Sequence, residues 1–260
     1  MVRWRCSFFV TMLAWRYSMK LPLWAAVLFL PLPTLAQEAA VPVSQEPHHH
    51  LVLENSYVRA YYVEVAPHDS TLQHRHDLPY FSVLLSGGPA ASSPAPARSQ
   101  QQPEEPRVIY STGGISHKVG NPAEVPFTNV TVELLRPQGK ARNRCTEVVQ
   151  GQPLERCDIP SGVSPSSSSR YTVFETGEIL VEYWKIDANF SERPWDHNQA
   201  LLLIALDATA LWAADASPNA GSSSLLWFDA GSKVLLKIPP DRHSGHFFAI
   251  FFKDSAPAQR

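Results

Sequence analysis

The sequence predicts an all-β protein, two small β-barrels in tandem behind an N-terminal targeting segment. Three observations predict it. Short β-branched and aromatic runs, Tyr57–Val65, Tyr80–Leu85, Val108–Ser111 and Thr128–Leu134, are separated by turn residues. No long stretch places apolar residues at helical spacing. The second half of the chain then repeats the texture of the first.

Residues 1–36 read as a signal segment. Met19-Lys20 precedes the apolar run LPLWAAVLFLPLPTLA, and small residues lead to a cut after Ala36. The run is short and holds Pro22, Pro31 and Pro33, which argues against a membrane-spanning helix. Met19 is an alternative start. Cleavage leaves 224 residues with 18 basic and 24 acidic side chains, a net charge of −6. No basic patch marks a nucleic-acid footprint, and the expected location is secreted or periplasmic. Cys6 leaves with the leader. Cys145 and Cys157, in RCTEVVQGQPLERC, are expected to pair as a structural disulfide in an exported protein. Their spacing is not that of a redox CxxC pair.

Residues 37–50 are polar and proline-rich and read as a flexible arm, with His48-His49-His50 a solvated run rather than a site. Residues 51–137 make the first barrel. Its low-complexity stretch 87–106 cannot bury apolar surface and reads as a flexible hairpin loop. Residues 138–170 are a connector carrying the cysteine pair, and residues 171–254 make the second barrel. A shift of 121 lays Val52-Leu53-Glu54 on Val173-Phe174-Glu175 and residues 61–65 on 182–186. A shift of 117 lays Thr112-Gly113-Gly114 on Asp229-Ala230-Gly231.

The chemistry concentrates in the first copy. His74 and His76 flank Arg75 in a strand-like setting, and residues two apart on a strand share a face. His117 follows a Gly-Gly turn about forty residues later. Two imidazoles from one strand and a third from a neighbour can hold one divalent metal with open positions. In the second copy His74 maps to Trp195, Tyr80 to Leu201 and His117 to Val234, so only His197 survives and that half is expected to be structural. His243 and His246 fall on no matching positions.

These motifs resemble the cupin superfamily of small jelly-roll barrels. That family's first motif is an HxH pair followed by a glutamate and a glycine. Its second is a histidine with an asparagine four residues on. Here His74 and His76 match the pair, Gly87 or Gly88 the closing glycine, His117 the second-motif histidine and Asn121 the asparagine. Two departures stand out: Tyr80 occupies the glutamate position, and no PxG precedes His117. The resemblance implies a tandem bicupin with a degenerate second copy.

Three neutral imidazoles suit Zn, Fe, Ni, Cu or Mn rather than oxygen-seeking Mg or Ca. If HRHDLPYFS stays extended, His74, His76, Leu78, Tyr80 and Ser82 share the pocket face and Asp77 points away. Tyr80 has four readings: a phenolate ligand, a holder of metal-bound water, a proton donor to substrate, or an aromatic filler at the barrel mouth. No GxSxG elbow, phosphate-binding loop or HExxH is present, and Glu104-Glu105 is solvated charge. Three functions stay open. The first is a metal-dependent enzyme acting on a small molecule, and the second a module that binds a small-molecule ligand without turnover. The third is a structural protein whose barrels pair sheet to sheet, within one chain or as a homo-oligomer.

Overall fold

The computed structural model describes residues 39–87, 91–93, 108–155, 157, 168–187, 195–196, 198–206, 212–213, 225–234, 236–237 and 244–253. The expected leader and residues His197 and His243 lie outside the described residues. Among the described residues no helix is long and apolar enough to cross a membrane, and the only helical turn is a short 3-10 segment, Val43–Gln45.

The first copy contains β1 (Val41–Pro42), β2 (His49–Glu54), β3 (Val58–Val65), β4 (His74–His76), β5 (Tyr80–Ser86), β6 (Ala91–Ser93), β7 (Val108–Ser111), β8 (Ile115–Gly120) and β9 (Phe127–Leu134). They form a five-stranded sheet ordered β2-β3-β9-β5-β7 and a four-stranded sheet ordered β1-β4-β8-β6. After β10 (Arg142–Asn143), the second copy contains β11 (Ser169–Glu175), β12 (Ile179–Asp187), β13 (Trp195–Asp196), β14 (Ala200–Ala205), β15 (Trp212–Ala213), β16 (Leu225–Phe228), β17 (Lys233–Val234), β18 (Leu236–Lys237) and β19 (Ser244–Phe252). Its large sheet runs β10-β11-β12-β19-β14-β16, the order of the first copy with one edge strand added.

Register reproduces the duplication residue by residue. His74 faces His117 across β4 and β8, and Trp195 faces Val234 across β13 and β17. Tyr80 faces Glu133, and Leu201 faces Phe251. The last strand is therefore offset by 118 rather than 117, one residue more than the turn before it.

The two large sheets pack face to face. Phe81, Val83, Val130, Val132 and Leu134 of the first copy meet Phe174, Val181, Leu202, Ile204, Phe248 and Ile250 of the second in one buried cluster. The Phe81 and Phe174 rings lie 6.4 Å apart and the Tyr110 and Phe174 rings 5.6 Å apart. Each sheet is thus covered on both faces, by this shared core and by its own barrel interior. That explains why every residue of β9 and of β14 is buried; β14 is apolar throughout, whereas β9 turns Asn129, Thr131 and Glu133 into its own barrel.

Two expectations need correction. Residues 41–50 are not a loose arm. Val41 pairs with His74 in a parallel bridge, Val41 N–H donates to the Gln73 carbonyl at 3.0 Å, and Val43 is buried in the barrel interior. Their polar, proline-rich composition hides this because the segment is held by hydrogen bonds to its neighbours rather than by an apolar stripe. The second correction concerns HRHDLPYFS, which is not one strand. The chain bends through Asp77–Pro79, so that β4 lies in the small sheet and β5 in the large one.

Candidate metal centre

His74 and His76 alternate inward around an exposed Arg75 and are fully buried, as the period-two reading requires. Arg75 turns outward with Asp77, its Nε donating to Oδ1 at 2.6 Å, so Asp77 leaves the interior as expected. His117 arrives on β8 directly opposite His74. The ring centroids of His74 and His117 lie 4.5 Å apart, those of His74 and His76 5.0 Å, and those of His76 and His117 5.2 Å. The structure therefore brings together the three histidines that the sequence nominated.

The turn before His117 fixes this arrangement. Gly114 N–H donates to the His76 carbonyl at 2.7 Å. Gly113 adopts φ +81°, and a Cβ there would fall 2.4 Å from the Leu78 carbonyl oxygen. Beyond His117, the buried Asn121 amide donates to the carbonyls of Val65, Ala66 and Val125 and accepts from Ala123 N–H. Asn121 is thus a structural anchor for the strand that carries the histidine.

The hydrogen bonds of the cluster are incomplete. His74 Nδ1 donates to the Leu72 carbonyl at 2.9 Å, which leaves Nε2 as the lone-pair nitrogen. That Nε2, His76 Nδ1 and His117 Nε2 are all buried without a hydrogen-bond partner. An unpaired buried polar atom normally costs on the order of 1–3 kcal/mol, and three of them sit on neighbouring rings here. Burial and their mutual proximity hold His76 down to about 2 and His117 down to about 4, and burial also lowers His74. All three imidazoles are neutral donors at neutral pH, the form a metal requires.

Sequence reasoning missed a fourth histidine. His49 on β2 points into the same interior, its side chain 4% exposed. Its ring lies 4.7 Å from His74 and 6.0 Å from His76. Donor atoms of His49, His74 and His76 all fall within 4.8 Å of one another. The signal lay in His48-His49-His50, where alternate residues must face opposite sides of a strand.

Tyr80 stacks on His76 at 4.1 Å and 24°. Burial pushes its phenol up to about 12 despite the adjacent Ser111 hydroxyl, so it stands beside the cluster as a neutral phenol. Further round the interior, Glu133 is buried, and burial raises its carboxyl even though Arg59 Nη1 donates to it at 3.3 Å and Tyr61 Oη at 3.4 Å. The Thr131 hydroxyl donates to Asn129 Oδ1 at 2.9 Å and lies 3.3 Å from the Ser82 hydroxyl. This wall is polar. Elsewhere, Cys145 and Cys157 are joined as a disulfide, and His246 Nδ1 is bonded to the Tyr183 hydroxyl at 2.5 Å.

No family model matches the chain, and no curated protein does. Solved structures similar to it include a cupin domain from Bordetella pertussis Tohama I, 24% identical over 32% of this chain and 88% of that one, at a TM-score of 0.29. AerE from Microcystis aeruginosa is 12% identical over 80% of this chain and 99% of that one, at 0.47. An 11S globulin from Wrightia tinctoria is 11% identical over 76% of each chain, at 0.48. These are likenesses of fold, and nothing about chemistry is taken from them. The chain has an all-β fold whose two large sheets repeat one strand order, with a histidine cluster suited to a metal inside the first copy.

Proposed function

We propose that this is an exported bicupin whose first barrel binds one divalent transition metal through His74, His76 and His117, beside a pocket for a small molecule. The observation that carries the reading is three buried, unpartnered imidazole nitrogens on rings whose centroids lie 4.5–5.2 Å apart in one barrel interior. A transition metal would satisfy all three at once, and an all-nitrogen set favours Zn, Fe, Ni, Cu or Mn. When bound, the metal would supply Lewis acidity and a template for an oxygen- or nitrogen-bearing ligand. Tyr80, Ser82, Thr131, Asn129 and Glu133 give the adjoining wall its hydrogen-bonding character. Export is supported by the leader-like start and the disulfide.

Elemental analysis of tag-free protein, reconstituted in turn with Zn²⁺, Fe²⁺, Ni²⁺, Cu²⁺ and Mn²⁺, tests the reading. One equivalent per chain is expected. His76→Ala should abolish it and His197→Ala should leave it unchanged. Trace occupancy with every metal would overturn the reading and return the chain to a metal-free binding or structural role.

A further inference from the structure

We propose that His49 is a fourth protein ligand to this metal, and that the buried carboxylate of Glu46 both orients it and supplies the negative charge that a glutamate ligand would otherwise bring. The inference rests on the metal-binding reading above, and goes beyond it by adding a ligand from a different strand and a charge from outside the ligand set.

The geometry of His49 is that of a ligand held from behind. Its Nδ1 donates to Glu46 Oε2 at 2.5 Å. A carboxylate only accepts, so the proton stays on Nδ1 and the lone pair is on Nε2. Metal-binding histidines characteristically donate their second nitrogen to a carboxylate in this way, which fixes ring orientation and raises basicity.

Glu46 is itself fully enclosed, with no side-chain exposure. Besides His49 it accepts from the His48 backbone N–H at 2.9 Å, from His48 Nδ1 at 3.0 Å and from the Leu72 N–H at 3.0 Å. His48 balances the charge on the solvent side, its Nε2 lying 3.3 Å from Asp69 Oδ2. Leu72 links Glu46 to a second proposed ligand. Its N–H goes to Glu46, and its carbonyl accepts from His74 Nδ1 at 2.9 Å. One carboxylate therefore positions His49 directly and His74 through a single intervening residue, Leu72.

This arrangement also accounts for the altered motif. The position where the resemblance calls for a glutamate holds Tyr80, stacked flat on His76. Four imidazoles would then be offered to the metal, and the compensating charge sits one hydrogen bond further out, on Glu46. The 3-10 turn Val43–Gln45 and β1 exist to bring that carboxylate in: β1 pairs with β4, the strand of His74.

The test uses full-length, tag-free protein and Co²⁺ as the probe. X-ray absorption on the wild type should count four imidazole donors, and His49→Ala should show three. Chelator competition should show Glu46→Gln, which keeps shape and loses charge, binding Co²⁺ about 10–100-fold more weakly at unchanged stoichiometry. Three imidazoles in the wild type, or wild-type affinity in both variants, would overturn this inference alone. Wild-type protein that takes up no cobalt or any other metal would overturn the metal reading and this inference with it. The donor count on wild-type protein does not depend on either variant folding.

Discussion

Metal-free protein should lose stability steeply between pH 6.5 and 4.5, and His117→Val should remove one proton's share of that loss. Burial lowers the folded-state values of His76 and His117 from 6.5 to about 2 and about 4. As pH falls through 6.5 the unfolded chain takes up protons that the folded chain refuses. The stability these groups contribute is therefore present above 6.5 and lost on acidification. Each refused proton costs about 1.4 kcal/mol per pH unit. Two of them amount to roughly 5 kcal/mol over the two units, a large part of the ~5–15 kcal/mol of a typical domain. His74, also lowered by burial, adds to the loss in the same window and is common to both proteins. His48 is raised by Glu46 and Asp69 against its desolvation, so its contribution is gained above this window and is not lost on acidification through it. For Glu46, burial acts upward, but hydrogen bonds from His49, His48 and Leu72 outweigh it and hold the carboxyl at about 2, so its contribution is lost only below 4.5. Glu133, raised by burial, works in the opposite direction near the lower end and is common to both proteins. Valine is the residue the second copy carries at the matching position, Val234, so the fold accepts it there. Guanidinium unfolding with a chelator present, followed by tryptophan fluorescence at half-unit pH steps, gives the two slopes. Parallel lines for wild type and variant would refute the reasoning.

Two further predictions address the frame around the site. Gly113→Ala should destabilise the protein by several kcal/mol and weaken metal binding, since its Cβ would strike the Leu78 backbone at 2.4 Å; Gly114→Ala, with φ +70° and open space around it, should cost only about 1–2 kcal/mol, and equal thermal shifts for the two would contradict this. Reduction of Cys145–Cys157 should expose two thiols absent from the native protein and lower stability by about 3 kcal/mol on the chain-entropy model; intact mass after alkylation, with and without reductant, checks the first part, and freely labelled thiols in native protein would refute it.

What the sequence made legible was whatever depends on period and repetition. His74 and His76 share a face because strands alternate. Their pairing with His117 was what the family resemblance implied, and the second copy sets Trp195 opposite Val234 at the same register. The alternation of His48-His49-His50 hinted at an inward His49, but the burial of His49 and Glu46 was not legible, for a different physical reason. They sit in a segment without an apolar stripe, and their burial comes from a carboxylate collecting four donors, one of them on residue 72. No local pattern announces a hydrogen-bond network closed across 26 residues. The bend at Asp77–Pro79 escaped too, because a proline inside an otherwise extended run fits either a straight edge strand or a change of sheet.

The two copies together show what the first barrel's interior gives up. Register equates Tyr80 and Ser82 with Leu201 and Leu203, and Asn129, Thr131 and Glu133 with Phe247, Ala249 and Phe251. In the second copy all five positions join Trp184, Ile186, Phe228 and Leu236 in a buried apolar cluster. In the first, the interior apolar cluster shrinks to Val43, Tyr61, Val63, Val65 and Phe127, with Leu84 and Val119 against it, and the rest of the wall is polar. At about 1.5–3 kcal/mol for each large side chain buried, the exchange forgoes considerable packing energy, and it leaves hydroxyl, amide and carboxyl groups beside four imidazoles. One chain thus divides the work. The second barrel packs solidly and shares its sheet face with the first, and that shared core offsets what the first loses by keeping a polar interior. A barrel kept only as scaffold would be free to fill with leucine and phenylalanine, as its twin has.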